Sequence, residues 1–138
     1  MDLSSTHGGN PLACAVGLSV LKYYKDHNIL EMAEKNGEIF QRELREFPVV
    51  TNGKGMVGAL YLDSVDRANK LVRMAADFGL LVVHTGRETV KLAPALNIPE
   101  NQMVVGLDIL KRCVKKVMDP ENDRKWTAEE IKKREGMS

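Results

Sequence analysis

The residue types that could do chemistry gather at the start of the chain, in Ser5-Thr6-His7-Gly8-Gly9-Asn10-Pro11-Leu12. Asn10 is a favourable N-cap, and Pro11 suits the first helical position, where a missing N–H costs nothing. Leu12, Ala13, Cys14, Ala15, Val16, Leu18, Val20 and Leu21 follow, so a polar loop with two glycines empties into a largely buried helix. A helix start offers orphan N–H groups and the positive end of the dipole, which together favour an anion. Gly8 and Gly9 allow close backbone approach, and the hydroxyls of Ser5 and Thr6 can donate to a phosphate oxygen. On these residues alone the stretch reads either as an anion loop or as an ordinary capped loop.

The other candidates carry less. Gly53-Lys54-Gly55-Met56-Val57-Gly58 is a literal G-x-G-x-x-G, but that fingerprint needs a helix opening on its last glycine. Here Ala59-Leu60-Tyr61-Leu62-Asp63 follows, which reads as a strand, so a glycine-rich turn and bulge is expected instead of a nucleotide loop. His7 and His84 have neither a nucleophile arrangement nor metal-ligand spacing around them, and read as loop and turn residues. Cys14 and Cys113 lie in apolar helical patterns without a C-x-x-C pair and are expected in the core.

The elements that must position these residues follow from periodicity. A first helix is expected from about Pro11 to His27, apolar nearly all round over its first turns. Such a helix is normally buried between other elements, and this chain has little protein to surround it, which implies a missing partner. A second helix is expected from Leu30 to Phe47, with Leu30, Ala33, Gly37, Phe40, Leu44 and Phe47 as its apolar stripe. Its opposite face holds Glu31, Lys35, Glu38, Gln41, Arg42 and Arg45 and is expected in solvent. A third helix from Val65 to Phe78 has Ser64 as cap and Gly79 as stop, with Ala68, Leu71, Ala75 and Phe78 facing inward. Leu80 to His84 and Thr89 to Leu92 read as two strands around a turn. A fourth helix opens near Pro99, carries Met103, Leu107, Leu110, Val114 and Val117, and ends at Asp119-Pro120. Thr127-Ala128-Glu129-Glu130 is a capping box, which predicts a short helix from Ala128 to Arg134, docked by Trp126 and Ile131. The fold class expected is an α/β (α+β) two-layer sandwich. Its small, mostly antiparallel sheet is covered by helices and preceded by a long apolar helix. The domain expected spans residues 1–118, with 119–138 as a charged tail.

Composition bounds the partners. The 138 residues suffice for one domain, and 43% hydrophobic with 28% charged residues is an ordinary globular balance. A net charge of +1 without a basic block gives a nucleic-acid or membrane-surface role no support. No apolar run approaches the roughly 20 residues that span a bilayer. No signal peptide opens the chain, which points to the cytoplasm.

Ser5-Thr6-His7-Gly8-Gly9-Asn10-Pro11-Leu12-Ala13-Cys14-Ala15 resembles the segment after the cofactor lysine in class III aminotransferases, the ornithine and 4-aminobutyrate aminotransferase group. Val90-Lys91-Leu92-Ala93-Pro94-Ala95-Leu96-Asn97-Ile98 resembles the same family's strand and loop before its last long helix. The resemblance spans about residues 4–118 and implies the small C-terminal domain of a fold-type I enzyme using pyridoxal 5′-phosphate. It implies that Thr6, beside Ser5, reaches the phosphate of a cofactor bound mainly by another chain's large domain. In many members an arginine at the position of Lys91 binds the substrate carboxylate. Lysine keeps the charge but loses the planar fork, and a solvent-facing strand residue is the plain alternative. The family's Schiff-base lysine and the carboxylate on the pyridine nitrogen precede the first segment, so no catalytic residue is assigned here and the chain is expected to be inactive alone. The expected partners are the large-domain portion of the enzyme, or a second copy through the first helix, with an amine or amino acid and a 2-oxo acid as substrates. The family also holds aminomutases, decarboxylating members and racemases. A non-catalytic assembly or binding module derived from it is the alternative.

Overall fold

The computed structural model describes residues 6–84 and 86–120. Ser5 and the helix expected at Ala128 to Arg134, with Trp126 and Ile131, lie outside the described residues.

Helix α1 (Pro11–Asp26) begins where Asn10 caps it and ends at His27. Only two residues, His27 and Asn28, lead into α2 (Ile29–Leu44), and Asn28 takes the left-handed conformation at φ 49°. Asparagine tolerates that geometry, and the reversal it makes turns Ile29 inward instead of Leu30. Ile29 is 2% exposed and Leu30 71%, which corrects the expected stripe by one position at its start. The remainder of the stripe holds: Gly37, Phe40, Leu44 and Phe47 are buried.

A hairpin follows, β1 (Val50–Lys54) and β2 (Val57–Tyr61), joined by Gly55 and Met56. Gly55 at φ +55° supplies the left-handed first position of this two-residue turn. Gly58 has a different reason, since a Cβ there would stand 2.9 Å from Leu44 Cδ2 and 3.0 Å from Phe40 Cε1. The turn before β2 is as expected; the strand β1 was not read from the sequence.

Helix α3 (Val65–Asp77) is capped by Ser64, whose hydroxyl accepts the Arg67 N–H at 3.3 Å. At its end Gly79 N–H donates to Ala76 O and Leu80 N–H to Ala75 O, both at 2.9 Å, with Gly79 at φ +80°. This cap swings Phe78 outward, 56% exposed under the Lys116 ammonium, so its expected place in the core is wrong. Ala68, Leu71 and Ala75 are fully buried as expected.

Strand β4 (Thr89–Leu92) matches its expected span, whereas β3 is only Val83–His84. The sheet order is β1-β2-β4-β3, antiparallel at every described pairing. Helix α4 (Glu100–Met118) buries Met103, Leu107, Leu110, Val114 and Val117, as its spacing implied, and Cys113 with them.

Helices α2 and α3 pack on the sheet and α4 packs on both of them, and the core is centred on Phe40, Leu60, Leu71, Val90, Leu110 and Val114. Helix α1 touches α2 alone among the elements and buries no residue. The largely buried helix of the sequence reading is therefore exposed, Leu12 at 75% and Leu18 at 68%. Cys14, carried on it, is exposed too, against its expected place in the core. The apolar pattern of α1 stands, but nothing within the described residues covers it.

Candidate functional site

Thr6 begins the turn Thr6–Gly9 that feeds α1, and it is exposed. Gly9 stands at φ +74° with open space beside it, so this loop can meet a ligand without a steric barrier. The helix start behind it is less available than the sequence implied. Leu12 and Ala13 N–H donate to Asn10 Oδ1 at 2.9 and 3.2 Å, Cys14 N–H donates to Asn10 O at 2.9 Å, and Pro11 has no N–H. The cap consumes the orphan donors that an anion would use.

Lys91 lies on β4 between Val90 and Leu92, both buried against the helices. Alternation sends Lys91 to the opposite, uncovered face of the sheet. Its cross-strand partners are Ala59 on β2 and Val83 on β3. Val50, Val57, Tyr61 and Val83 are exposed, and register places them on that same face. Lys91 is a cation on an apolar floor, with no carboxylate partner among the described residues. It also lines a cleft of about 370 Å³ between the segment Leu80–Val83, the residues after β4 and helix α4. Thr6 is not part of that cleft, and α1 does not touch β4, so the structure does not bring the two candidates together.

The remaining candidates resolve as local structure. His7 O accepts the Asn10 N–H at 3.3 Å, and His84 Nδ1 accepts the Gly86 N–H at 3.2 Å. No group of three potential metal ligands occurs among the described residues. The glycine motif forms the β1–β2 hairpin, with no helix at its end. The sequence reading passed over Gly106, a helix-interior glycine lining the cleft, and the sole signal for it was its place inside an otherwise strong helical pattern.

The family model for class III aminotransferases matches residues 1–114. The chain belongs to the class III aminotransferase family. Members of this family are in general dimeric enzymes that depend on pyridoxal phosphate. The chain is 33% identical over 124 residues to the mitochondrial acetylornithine aminotransferase of Saccharomyces cerevisiae, a match covering 84% of this chain and 29% of that protein. It is 36% identical over 118 residues to the ornithine aminotransferase of Emericella nidulans, covering 80% and 26%. The solved acetylornithine aminotransferase from Elizabethkingia anophelis superposes with a TM-score of 0.69 at 31% identity, over 84% of this chain and 33% of that one. The chain thus spans between a quarter and a third of the length of these relatives. The small-domain fold of a class III aminotransferase agrees with the antiparallel sheet and the helices described above. No helix among the described residues is long and apolar enough to cross a membrane.

Proposed function

We propose that residues 1–118 form the C-terminal domain of a pyridoxal-phosphate-dependent aminotransferase acting on an amine or amino acid and a 2-oxo acid, with 119–138 as an appended tail. Membership of the class III family carries this reading. When bound, the cofactor supplies the electron sink for the chemistry. Thr6, beside Ser5, donates its hydroxyl to a phosphate oxygen from the solvent side of the loop. Lys91 holds a substrate carboxylate as a point charge from the uncovered sheet face. An ammonium lacks the bidentate fork of arginine, so it holds the carboxylate with less angular restraint. The lysine that anchors the cofactor is assigned to the large-domain portion, against which α1 and the uncovered sheet face would pack. The segment alone is therefore inactive, and the cytoplasm is its proposed location. The uncovered α1 supports a second reading, a non-catalytic assembly module of the same family.

The test is to join this segment to the large domain of a class III aminotransferase and assay amino transfer from ornithine, N-acetylornithine and 4-aminobutyrate to 2-oxoglutarate. Thr6→Val is expected to weaken cofactor retention, and Lys91→Gln to raise KM with little change in kcat. The segment alone, mixed with pyridoxal phosphate and dialysed, is expected to retain no visible absorbance band. A retained band would show that a lysine within it serves as anchor. No amino transfer by the joined protein would favour the assembly module.

A further inference from the structure

The two edges of the sheet are unlike. In antiparallel strands, successive residues turn their backbone groups to opposite sides. Leu62 N–H donates to Glu88 O at 2.8 Å, so within the β2–β4 ladder the bonds are exchanged by Leu60 with Val90 and by Gly58 with Leu92. Ala59 then faces β1, and Lys91 faces β3. On β1, Asn52 turns its backbone groups to Ala59, while Thr51 and Gly53 turn theirs to the open edge. That edge is blunted. The outward Gly53 N–H is held by Asn52 Oδ1 at 2.8 Å, and the charged Lys54 follows it. An occupied donor and a lysine both discourage a further strand from pairing there.

The β3 edge has no such guard. Val83 turns its backbone to Lys91, which leaves the N–H and C=O of Val82 and His84 pointing away from the sheet. Leu80 to His84 have strand-forming side chains, yet only Val83 and His84 lie in a ladder, and Leu80 to Val82 splay from β4 across the cleft. Leu81 and Val83 are 88% and 62% exposed. No Asp, Glu, Lys or Arg occurs from Phe78 to Gly86. An apolar, uncharged strand with an open edge is a template for another strand.

We infer that Leu80–His84 pairs with the same segment of a second copy, antiparallel about a two-fold axis at Val82, and joins two four-stranded sheets edge to edge. The segment's complementarity to itself selects the second copy as occupant. In this register the two Val82 residues face each other, each donating its N–H to the other's C=O. His84 N–H donates to Leu80 O of the second copy. The Leu80 N–H is already given to Ala75 O at 2.9 Å, so the ladder ends there. Leu81 lies opposite Val83 of the second copy in the closely spaced, non-hydrogen-bonded pair, so these two exposed side chains cover each other. The segment carries no charge, so the symmetric pairing sets no like charges together. This contact is independent of the aminotransferase reading and of α1.

Sedimentation velocity of the full 138-residue chain over a concentration series tests it, together with cysteine cross-linking. With Leu18→Glu and Leu21→Glu present to remove any contact through α1, a dimer is still expected. Adding Leu81→Lys should weaken that dimer at least about tenfold, because symmetry removes two covered leucines at once. The melting temperature should hold, since Leu81 is so exposed within its own chain. In a Cys14→Ser background, a mixture of Leu81→Cys and Val83→Cys chains should form an intermolecular disulfide. Leu81→Cys alone should not, because its two copies stand diagonally, about 7–8 Å apart. A monomer at every concentration, or a dimer indifferent to Leu81→Lys, would overturn the edge pairing. Leu81→Cys chains that cross-link to each other as readily as to Val83→Cys chains would overturn the antiparallel register.

Discussion

The two cysteines occupy opposite environments. Cys113 is buried on the core side of α4, and burial pushes its thiol above the ordinary value, with Lys116 opposing in part. Cys14 is exposed on α1. A thiol reacts as its thiolate and only where reagent reaches it. Iodoacetamide at neutral pH should therefore label Cys14 in the folded chain and Cys113 only after denaturation, as read by peptide mass spectrometry; early label on Cys113 would contradict the packing of α4. Lys111 is the other informative residue. Its ammonium donates to Glu46 Oε2 at 3.0 Å, lies 3.7 Å from Glu43 and faces the Phe47 ring at 5.7 Å. The Glu46 hydrogen bond is the largest cause that raises its pKa above the ordinary 10.5, with Glu46, Glu43 and Asp108 charges adding and burial opposing. A lysine whose folded pKa is raised stabilises fully below the unfolded value and loses that contribution as pH rises through the folded one. Lys111→Met should cost about 0.5–1 kcal/mol near pH 8. That difference should shrink as the pH climbs beyond the ordinary lysine value, as urea denaturation at several pH values would register.

At the scale of elements, Gln41 shows what a periodic pattern cannot contain. Helical spacing assigns it to the charged outer face of α2, yet its amide donates to Gly55 O at 2.8 Å and Val57 O at 3.0 Å. It braces the hairpin turn against the helix, where a Cβ on Gly37 would stand 3.0 Å from Gly55 Cα. Gln41→Ala should destabilise the fold by about 1–2 kcal/mol. The accompanying amide-exchange change should appear first around Gly55 to Val57; an unchanged turn would refute the bracing role. The helices were legible because a 3.6-residue apolar stripe and a local cap are properties of neighbouring residues. Strand β1 was not, because Val50-Thr51-Asn52-Gly53-Lys54 has no alternation of its own and is a strand by virtue of pairing with β2. Strand β3 was overestimated for the converse reason: Leu80 to Val82 have strand-forming side chains but no partner ladder.

Among the described residues there is a closed core on one side of the sheet, with apolar surface open on α1 and on the far face of the sheet. Exposed apolar area of this kind marks an interaction surface. The isolated chain should self-associate with rising concentration in light scattering, and Leu18→Glu with Leu21→Glu should reduce that association without lowering the melting temperature, because α1 buries nothing. A monodisperse monomer at all concentrations would count against α1 as the contact.

Local chemistry was enough to determine the α1 cap, most of the helix stripes, the β4 strand, the turn of the glycine motif that leads into a strand, and the family. Each depends on residues adjacent in the chain or on a contiguous motif. Tertiary structure decided which apolar residues find a partner: Ile29 over Leu30, Phe78 outside the core, Cys14 in solvent. It also decided that the Asn10 cap occupies the donors of the α1 start, and that Thr6 and Lys91 stand on separate parts of the chain. Burial, hydrogen-bond competition and the splay of β3 from β4 arise between residues distant in sequence, and periodicity along the chain has no access to them.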